Sequence, residues 1–424
     1  MSPLLYISEG GPQRSIDDDE LRQLLYPLFD AFADARSVLA IPPDFTRYHS
    51  RAGRITEMLY QQFGSRLTDV LPAVGSHEAM SPEQIRKMFG SLPPDRIRNH
   101  RWREDTVTLG RIPARFIEEV SEGALTFDFP VQLNRMISEA GHDVIFSVGQ
   151  VVPHEVIGLA NYTKNIFIGT GGKEAIDKSH YLGAVYGMER IMGEADTPVR
   201  QVINRAARQY AREFPIVYIL TVLENGADGS MILRGVYAGD DDECFLAAAE
   251  LSKQVNVYTV PAPVDHVVAY LDEEEFHSTW LGNKAVYRSR MMIADGGRLT
   301  VIAPGVAGFG EDREIDALIR EYGYHGTPHT LALVDRERRL RENLSAAAHL
   351  IHGSSEGRFT IEYAPGALSR EEIEGVGYEY LELEAVRERY SPHRRSTGFH
   401  RDSEGETFYF IANPALGLWR SEGR

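Results

Sequence analysis

Cysteine is nearly missing: Cys244 stands alone in 424 residues, so the chain can form neither an internal disulfide nor a cysteine-built zinc or iron–sulfur cluster. Any metal must be held by histidine, by carboxylate or by atoms that a cofactor brings with it. No apolar run approaches the roughly 20 residues that span a bilayer. The opening MSPLLYISEGGPQRS lacks the basic stretch and apolar core of a secretion signal. These absences lead us to expect a cytoplasmic chain with no membrane partner. Positive charge is short as well: 45 Lys and Arg against 62 Asp and Glu leave a formal charge of −17. Binding the phosphates of nucleic acid needs a basic surface that releases counterions, so no nucleic-acid partner is expected. A small anionic substrate stays compatible with this charge if a few Lys or Arg converge locally. A clean G-x-G-x-x-G after an early strand, with an acidic residue about twenty positions on, is also missing, which weighs against a nicotinamide-dependent oxidoreductase.

What is present is the composition of a folded protein, 43% hydrophobic and 25% charged. At roughly 150 residues per domain, the length suggests two domains. Short apolar runs ending in Gly, Pro or Asp read as buried strands: Val38–Pro43, Val70–Gly75, Val144–Gly149, Asn165–Gly169, Ile216–Leu223, His266–Leu271 and Leu299–Gly305. Helical patterns lie between them, among them Asp17–Phe32, Ile55–Phe63, Pro82–Phe89, Val131–Ala140, Pro198–Glu213, Cys244–Gln254, Asn283–Ala294 and Arg313–Tyr322. This alternation predicts an α/β fold: two domains with mainly parallel sheets flanked by helices, and the active site in the interdomain cleft. Pro261 and Pro263 mark the junction, giving domains at 1–262 and 263–394, with the apolar end of 395–424 able to cross back to the first.

In parallel sheets ligands collect beyond the carboxyl ends of strands, which directs attention to the polar residues just after each run. Asp44-Phe45-Thr46-Arg47 follows the first of these strands; acid, hydroxyl and guanidinium can orient a phosphate or carboxylate, or simply form an Asp-led turn. Gly75-Ser76-His77-Glu78 closes the next and precedes Ser81-Pro82-Glu83-Gln84, a capping box with proline at the first helical position. Helix-terminal N–H groups there favour an anion such as a nucleotide phosphate, although a plain strand–turn–helix connection has the same pattern. Asn99-His100-Arg101-Trp102 offers a histidine titrating near neutrality, as general base or as surface residue. In the Gly-rich stretch after Gly149, His154 follows Pro153, Lys164 comes ten residues later and His180 sixteen beyond that. Lys284 and Arg288 are four apart and share a helical face, two cations for a carboxylate or polyol or a basic solvent face.

Taken in order from about Val38 to Gly310, these blocks resemble the nickel-pincer-nucleotide lactate racemase family: Asp-x-Thr-Arg, Gly-Ser-His, Asn-His and, most specifically, Pro-His-x(9)-Lys-x(15)-His. The resemblance implies that Lys164 forms a covalent thioamide link to a nickel pyridinium-3,5-bisthiocarboxylic acid mononucleotide, which maturation enzymes must load. It further implies that His180 completes the nickel coordination, and that Asp44, Thr46, Arg47, Gly75, Ser76, His77 and Glu78 hold the cofactor. His100 and His154 are the implied paired acid–bases: one takes the C2 hydroxyl proton of a 2-hydroxy acid as hydride leaves C2, and the other serves the opposite face. Asn283, Lys284 and Arg288 are the implied substrate residues.

Two positions depart from the lactate pattern. Glu78 stands where the family has arginine, and Leu281 where it has glutamine before the lysine at Lys284. The Gly282-Asn283-Lys284-Ala285 and Ala303–Asp312 stretches look like a subgroup associated with sugar acids, including proposed mannonate epimerases. The expectation is therefore a C2 epimerase of an aldonic acid such as gluconate or mannonate. A racemase of a small lactate-like or malate-like acid, or a non-catalytic sugar-acid-binding protein, are the competing readings.

Overall fold

Four consecutive apolar residues, Val38–Ile41, are all buried, as in a strand covered on both faces. Alternation of side chains explains how: Leu39 and Ile41 enter one core with Ile145, Leu220 and Val222, while Val38 and Ala40 enter another with Phe146, Ile219 and Phe29. In this computed structural model the described residues are 5–75, 77, 79–226, 230–415 and 417–423. They fall into two units: 5–182 with 193–226 and 230–256, and 183–192 with 257–423.

The first unit is built on a six-stranded sheet in the order Leu5–Gly10, Met231–Gly239, Ile216–Asn225, Val144–Gln150, Val38–Ile41, Leu67–Val70. The last four strands run parallel to one another and the first two pair antiparallel. One face is covered by helices Asp18–Asp30 and Ala52–Phe63, whose Phe29 and Phe63 rings each lie 5.9 Å from that of Phe146. Asp17 starts the first of these helices by accepting the Asp19 and Glu20 N–H groups at 3.0 and 2.8 Å. The other face packs on helices Pro198–Tyr210 and Asp242–Asn256 through Val202, Ile203, Phe245 and Ala249. Burying each such aliphatic or aromatic side chain stabilises the fold by about 1.5–3 kcal/mol.

The second unit has its own six-stranded sheet, ordered Glu379–Tyr380, Thr360–Pro365, Ile293–Ala303, Val264–Tyr270, Thr407–Ile411, Gly398–Arg401. All of its neighbours are parallel except the last pair. The C-terminal stretch, read from sequence as able to rejoin the first domain, lies in the second unit instead. Thr407–Ile411 pairs with Val264–Tyr270, and Leu418–Ser421 with Val257–Val260.

Three local expectations also change. Asn165–Gly169 is a turn of wide helix and not a strand, because a short apolar run has no period of its own and the Asn165 amide anchors it to Ile41 O and Ser147 Oγ at 2.9 and 3.0 Å. Val131–Ala140 divides into the strand Phe129–Asn134, antiparallel to Thr106–Ile112, and a short helix Arg135–Glu139; Phe129, Val131 and Leu133, two apart, all enter the core. The helix expected over Asn283–Ala294 is confined to Lys284–Ser289, and a strand begins at Ile293. Among the described residues no helix is long and apolar enough to cross a membrane.

Candidate active site

Three loops of the first unit leave the carboxyl ends of adjacent parallel strands, after Ile41, Val70 and Gln150, and each carries a residue singled out in the sequence. In the first loop the buried Asp44 carboxylate accepts the Thr46 N–H at 3.1 Å and the Thr46 hydroxyl at 2.5 Å. Its other oxygen accepts His77 Nδ1–H at 2.6 Å across the two loops. Burial alone would raise the Asp44 carboxyl, but the imidazole of His77, the Thr46 hydroxyl and Arg47 outweigh it and hold the group below the ordinary carboxylate range. With Nδ1–H given to Asp44, a neutral His77 presents its Nε2 lone pair away from the carboxylate. Gly75, at φ +59°, donates its N–H to Gly169 O at 2.8 Å and so ties the second loop to the segment that carries Lys164. Ser76 and Glu78 lie outside the described residues.

In the third loop, buried His154 accepts the Val156 N–H on Nδ1 at 3.1 Å and turns Nε2 to within 3.3 Å of Lys164 Nζ. The backbone donor fixes the neutral ring as the Nε2–H form. A protonated Lys164 would set two donors against each other, whereas a neutral amine accepts that proton. Electrostatics point the same way. Burial first, then Arg47 and Arg200, bring Lys164 down to about 8 against the opposing pull of Glu155 and Asp44. Half-buried His180, on helix Lys173–Tyr186, donates Nδ1–H to Ile176 O at 2.7 Å, which leaves Nε2 with its lone pair. Burial, with Lys164 nearby, keeps that ring neutral.

Among the described residues no group of three or more His, Cys, Asp or Glu side chains converges as a metal cage. A nickel ion would therefore need a carrier with its own donor atoms. The residues present fit such a carrier: Lys164 is an acylable amine, and His180 offers one imidazole nitrogen whose tautomer is already set.

His100 lies in a closed set of protein hydrogen bonds. The ring is buried, Nε2–H donates to Gly171 O at 3.0 Å, and Nδ1 accepts from the Asn134 amide at 2.9 Å. Both nitrogens are engaged by the protein in the unloaded chain, so His100 braces the Thr170–Gly171 turn, and a substrate proton reaches the ring only where one of these bonds opens. The capping box at Ser81 and Gln84 is present, but it occupies the Gln84 and Ser81 N–H groups and leaves fewer donors for a phosphate there.

Sequence reasoning missed two charged residues. Glu155 Oε2 lies 3.7 Å from His154 Nδ1 and acts electrostatically on both Lys164 and His180. Arg200 is fully buried at the start of helix Pro198–Tyr210, where it contacts the segment preceding Lys164. The signal was a basic residue at the apolar spacing of Val199, Ile203 and Ala206.

In the second unit Asn283 is completely buried and its amide is engaged: Oδ1 accepts the Tyr378 hydroxyl at 3.2 Å, and Nδ2 lies 3.5 Å from His349 Nε2. The preceding Gly282 is required by crowding, since a Cβ there would lie 2.8 Å from the Tyr363 hydroxyl and 2.9 Å from Leu271. Lys284 and Arg288 share helix Lys284–Ser289 and are both buried, so they do not form a basic solvent face. The Lys284 ammonium sits 5.3 Å from the centre of the Phe276 ring.

Residues 25–191 match the lactate racemase N-terminal domain, a stretch that contains Asp44, His77, His154, Lys164 and His180. A crystal structure of a Thermotoga maritima protein superposes with a TM-score of 0.83 at 22% identity, covering 98% of this chain and 100% of that one. The lactate racemase apoprotein of Thermoanaerobacterium thermosaccharolyticum superposes with a TM-score of 0.69 at 15% identity, covering 92% and 88%. At these identities the likeness establishes the fold, which is that of the lactate racemase apoprotein. Among curated proteins none matches the chain.

Proposed function

We propose that the chain is a racemase or epimerase inverting C2 of a 2-hydroxy acid, with Lys164 as the covalent anchor of a nickel-carrying pyridinium mononucleotide. The observation that carries this reading is the Lys164–His154 pair: an amine 3.3 Å from an imidazole whose other nitrogen a backbone N–H already holds. That arrangement brings the amine down to about 8 and so raises the fraction that is neutral and nucleophilic, the state in which it can be acylated. When bound, the cofactor supplies the metal and the acceptor for the C2 hydrogen. His180 Nε2 would be the protein's nitrogen donor to the nickel.

The chain's own residues move the protons. His77, oriented by Asp44, offers Nε2 as a base for the C2 hydroxyl, and the carboxylate stabilises the imidazolium that results. Acylation of Lys164 removes the basic lone pair facing His154, which releases His154 Nε2 as the second proton carrier. The pair assigned here is His77 and His154, because both nitrogens of His100, the partner expected from the resemblance, are engaged in the unloaded chain. Arg47, half-buried beside Asp44, supplies positive charge for an anionic group.

For the substrate we keep the aldonic acids, gluconate or mannonate, supported by Glu78 and Leu281 at the two positions that depart from the lactate pattern. Lys284 and Arg288 are the cations assigned to its carboxylate; Asn283 is assigned to the scaffold, its amide being spent. The test is co-expression with cofactor-maturation enzymes. Peptide mapping of Lys164 and nickel analysis come first, then C2 inversion and C2 label exchange with gluconate, mannonate, lactate and malate. Inversion of aldonates is expected. Inversion of lactate or malate alone would overturn the substrate class, and no inversion or exchange with any acid by loaded protein would overturn the reaction.

A further inference from the structure

Two consecutive residues before Lys164 hold left-handed backbone without being glycine: Asn161 at φ +67° and Tyr162 at φ +57°. L-residues visit this region rarely and at a cost, so the surrounding structure must impose it. Part of the constraint is packing. Tyr162 stacks on Phe245 with centroids 5.3 Å apart, and Gly149 makes room for Asn161, since a Cβ there would lie 1.9 Å from Asn161 Nδ2. The polar part comes from one side chain. Arg200 donates Nη2–H to Leu159 O at 2.6 Å and Nη1–H to Asn161 O and Thr163 Oγ1 at 3.1 and 3.0 Å, with its guanidinium 4.3 Å over the Phe245 ring.

No carboxylate stands among the partners of Arg200 in the described residues, and its Nε has no hydrogen-bond partner. A fully buried cation is costly unless paired, and an apolar side chain would fill the same space without that cost. The guanidinium spans both ends of the turn, from Leu159 to Thr163, and the next residue is Lys164.

We propose that Arg200 is a positioning residue for Lys164: its fork clamps the left-handed Asn161–Tyr162 turn, and its unbalanced charge lies behind the amine that the turn sets against His154. The proposal deepens the reading of Lys164 as anchor and rests on that reading for its biological meaning. The charged and titratable groups around Lys164 are Asp44 and Arg47 from the first loop, His154 and Glu155 from the third, His180 from its helix, and Arg200. Arg47 and Arg200 oppose a further cation while Asp44 and Glu155 favour one. Of the two arginines, only Arg200 also holds the backbone of the turn.

The test uses the unloaded full-length protein, labelled with a water-soluble succinimidyl ester at a series of pH values and read lysine by lysine by peptide mass mapping. Wild-type Lys164 should reach half of its plateau rate near pH 8. Arg200→Met, verified as folded by near-ultraviolet circular dichroism, should move that midpoint upward and raise the plateau about threefold or more as the turn loosens. Arg200→Lys keeps the charge and loses the fork, so its midpoint should stay and its plateau should rise. A folded Arg200→Met with both quantities unchanged overturns the proposal. If Arg200→Met does not fold, Arg200→Lys and Thr163→Val, which removes one acceptor, decide the matter: an unchanged plateau in both overturns it. Failure of Lys164 to gain the cofactor's mass on co-expression, with labelling as described, sinks the anchor reading and leaves the positioning role standing.

Discussion

Asp44 and His77, thirty-three residues apart, meet in a 2.6 Å hydrogen bond between a buried carboxylate and a half-buried imidazole. The bond orients the ring and turns its second nitrogen away from the carboxylate. It converts two loops that each read as ordinary turns into one acid–base unit.

Replacing Asp44 by Asn keeps the shape of the pair and removes the charge that stabilises a protonated His77. Turnover of the loaded enzyme should fall by about 10²–10⁴-fold, in kcat more than in KM. The folded carboxyl is held low, so its contribution to stability is fully present above the ordinary Asp range and is lost as pH falls through the folded value. The variant's thermal midpoint should accordingly change less than that of the wild type between pH 5 and pH 3.

His77→Gln and His100→Ala separate chemistry from architecture. The first should abolish C2 inversion while its amide can still hydrogen-bond Asp44, so that any loss of melting temperature is greatest where Asp44 is ionised. The second leaves Gly171 O and the Asn134 amide without their partner and should cost about 1–3 kcal/mol of stability in urea unfolding. Full stability in His100→Ala would remove the strut role.

Lys164→Met gives a pH signature without any cofactor. The amine sits near 8 in the fold against 10.5 in the unfolded chain, so between those values the unfolded chain binds more protons and stability rises with pH. Below pH 8 the cost of burying the cation is fully present. Unloaded Lys164→Met should melt above the wild type at pH 7, and the gap should narrow toward pH 10. A gap independent of pH would exclude the depressed amine.

His180→Ala should leave the cofactor's mass on Lys164 and lose nickel on dialysis against a chelator, read by elemental analysis beside intact mass. Nickel retention equal to the wild type would assign the protein ligand elsewhere.

Asn283→Ala and Lys284→Met should part company. Loss of the fully buried amide removes a partner of the Tyr378 hydroxyl, which keeps its 2.7 Å bond to Gly353 O, and leaves unfilled space in the core of the second unit; it should cost about 1–3 kcal/mol. Lys284→Met should chiefly raise KM for an anionic substrate. A KM effect in Asn283→Ala without loss of stability would return that residue to the substrate.

Much of the frame is legible from the chain alone. Val38–Ile41, Val144–Gln150 and Ile216–Asn225 are written as mainly apolar runs because both faces of their sheet are buried, and the spacing of His154, Lys164 and His180 is a property of the sequence itself. A local period encodes which residues an element buries. It does not encode which distant group meets a side chain, because that depends on strand order and on the loops that strand order brings together. Tertiary structure therefore decided that His77 belongs to Asp44 and that His100 is consumed by Gly171 and Asn134. It also wound Asn165–Gly169 into a helical turn, because the Asn165 amide found acceptors on two neighbouring strands. Arg200 is the sharpest case: an arginine on a helix predicts a solvated cation, and only packing against Phe245 and the Leu159–Thr163 backbone makes it a buried one.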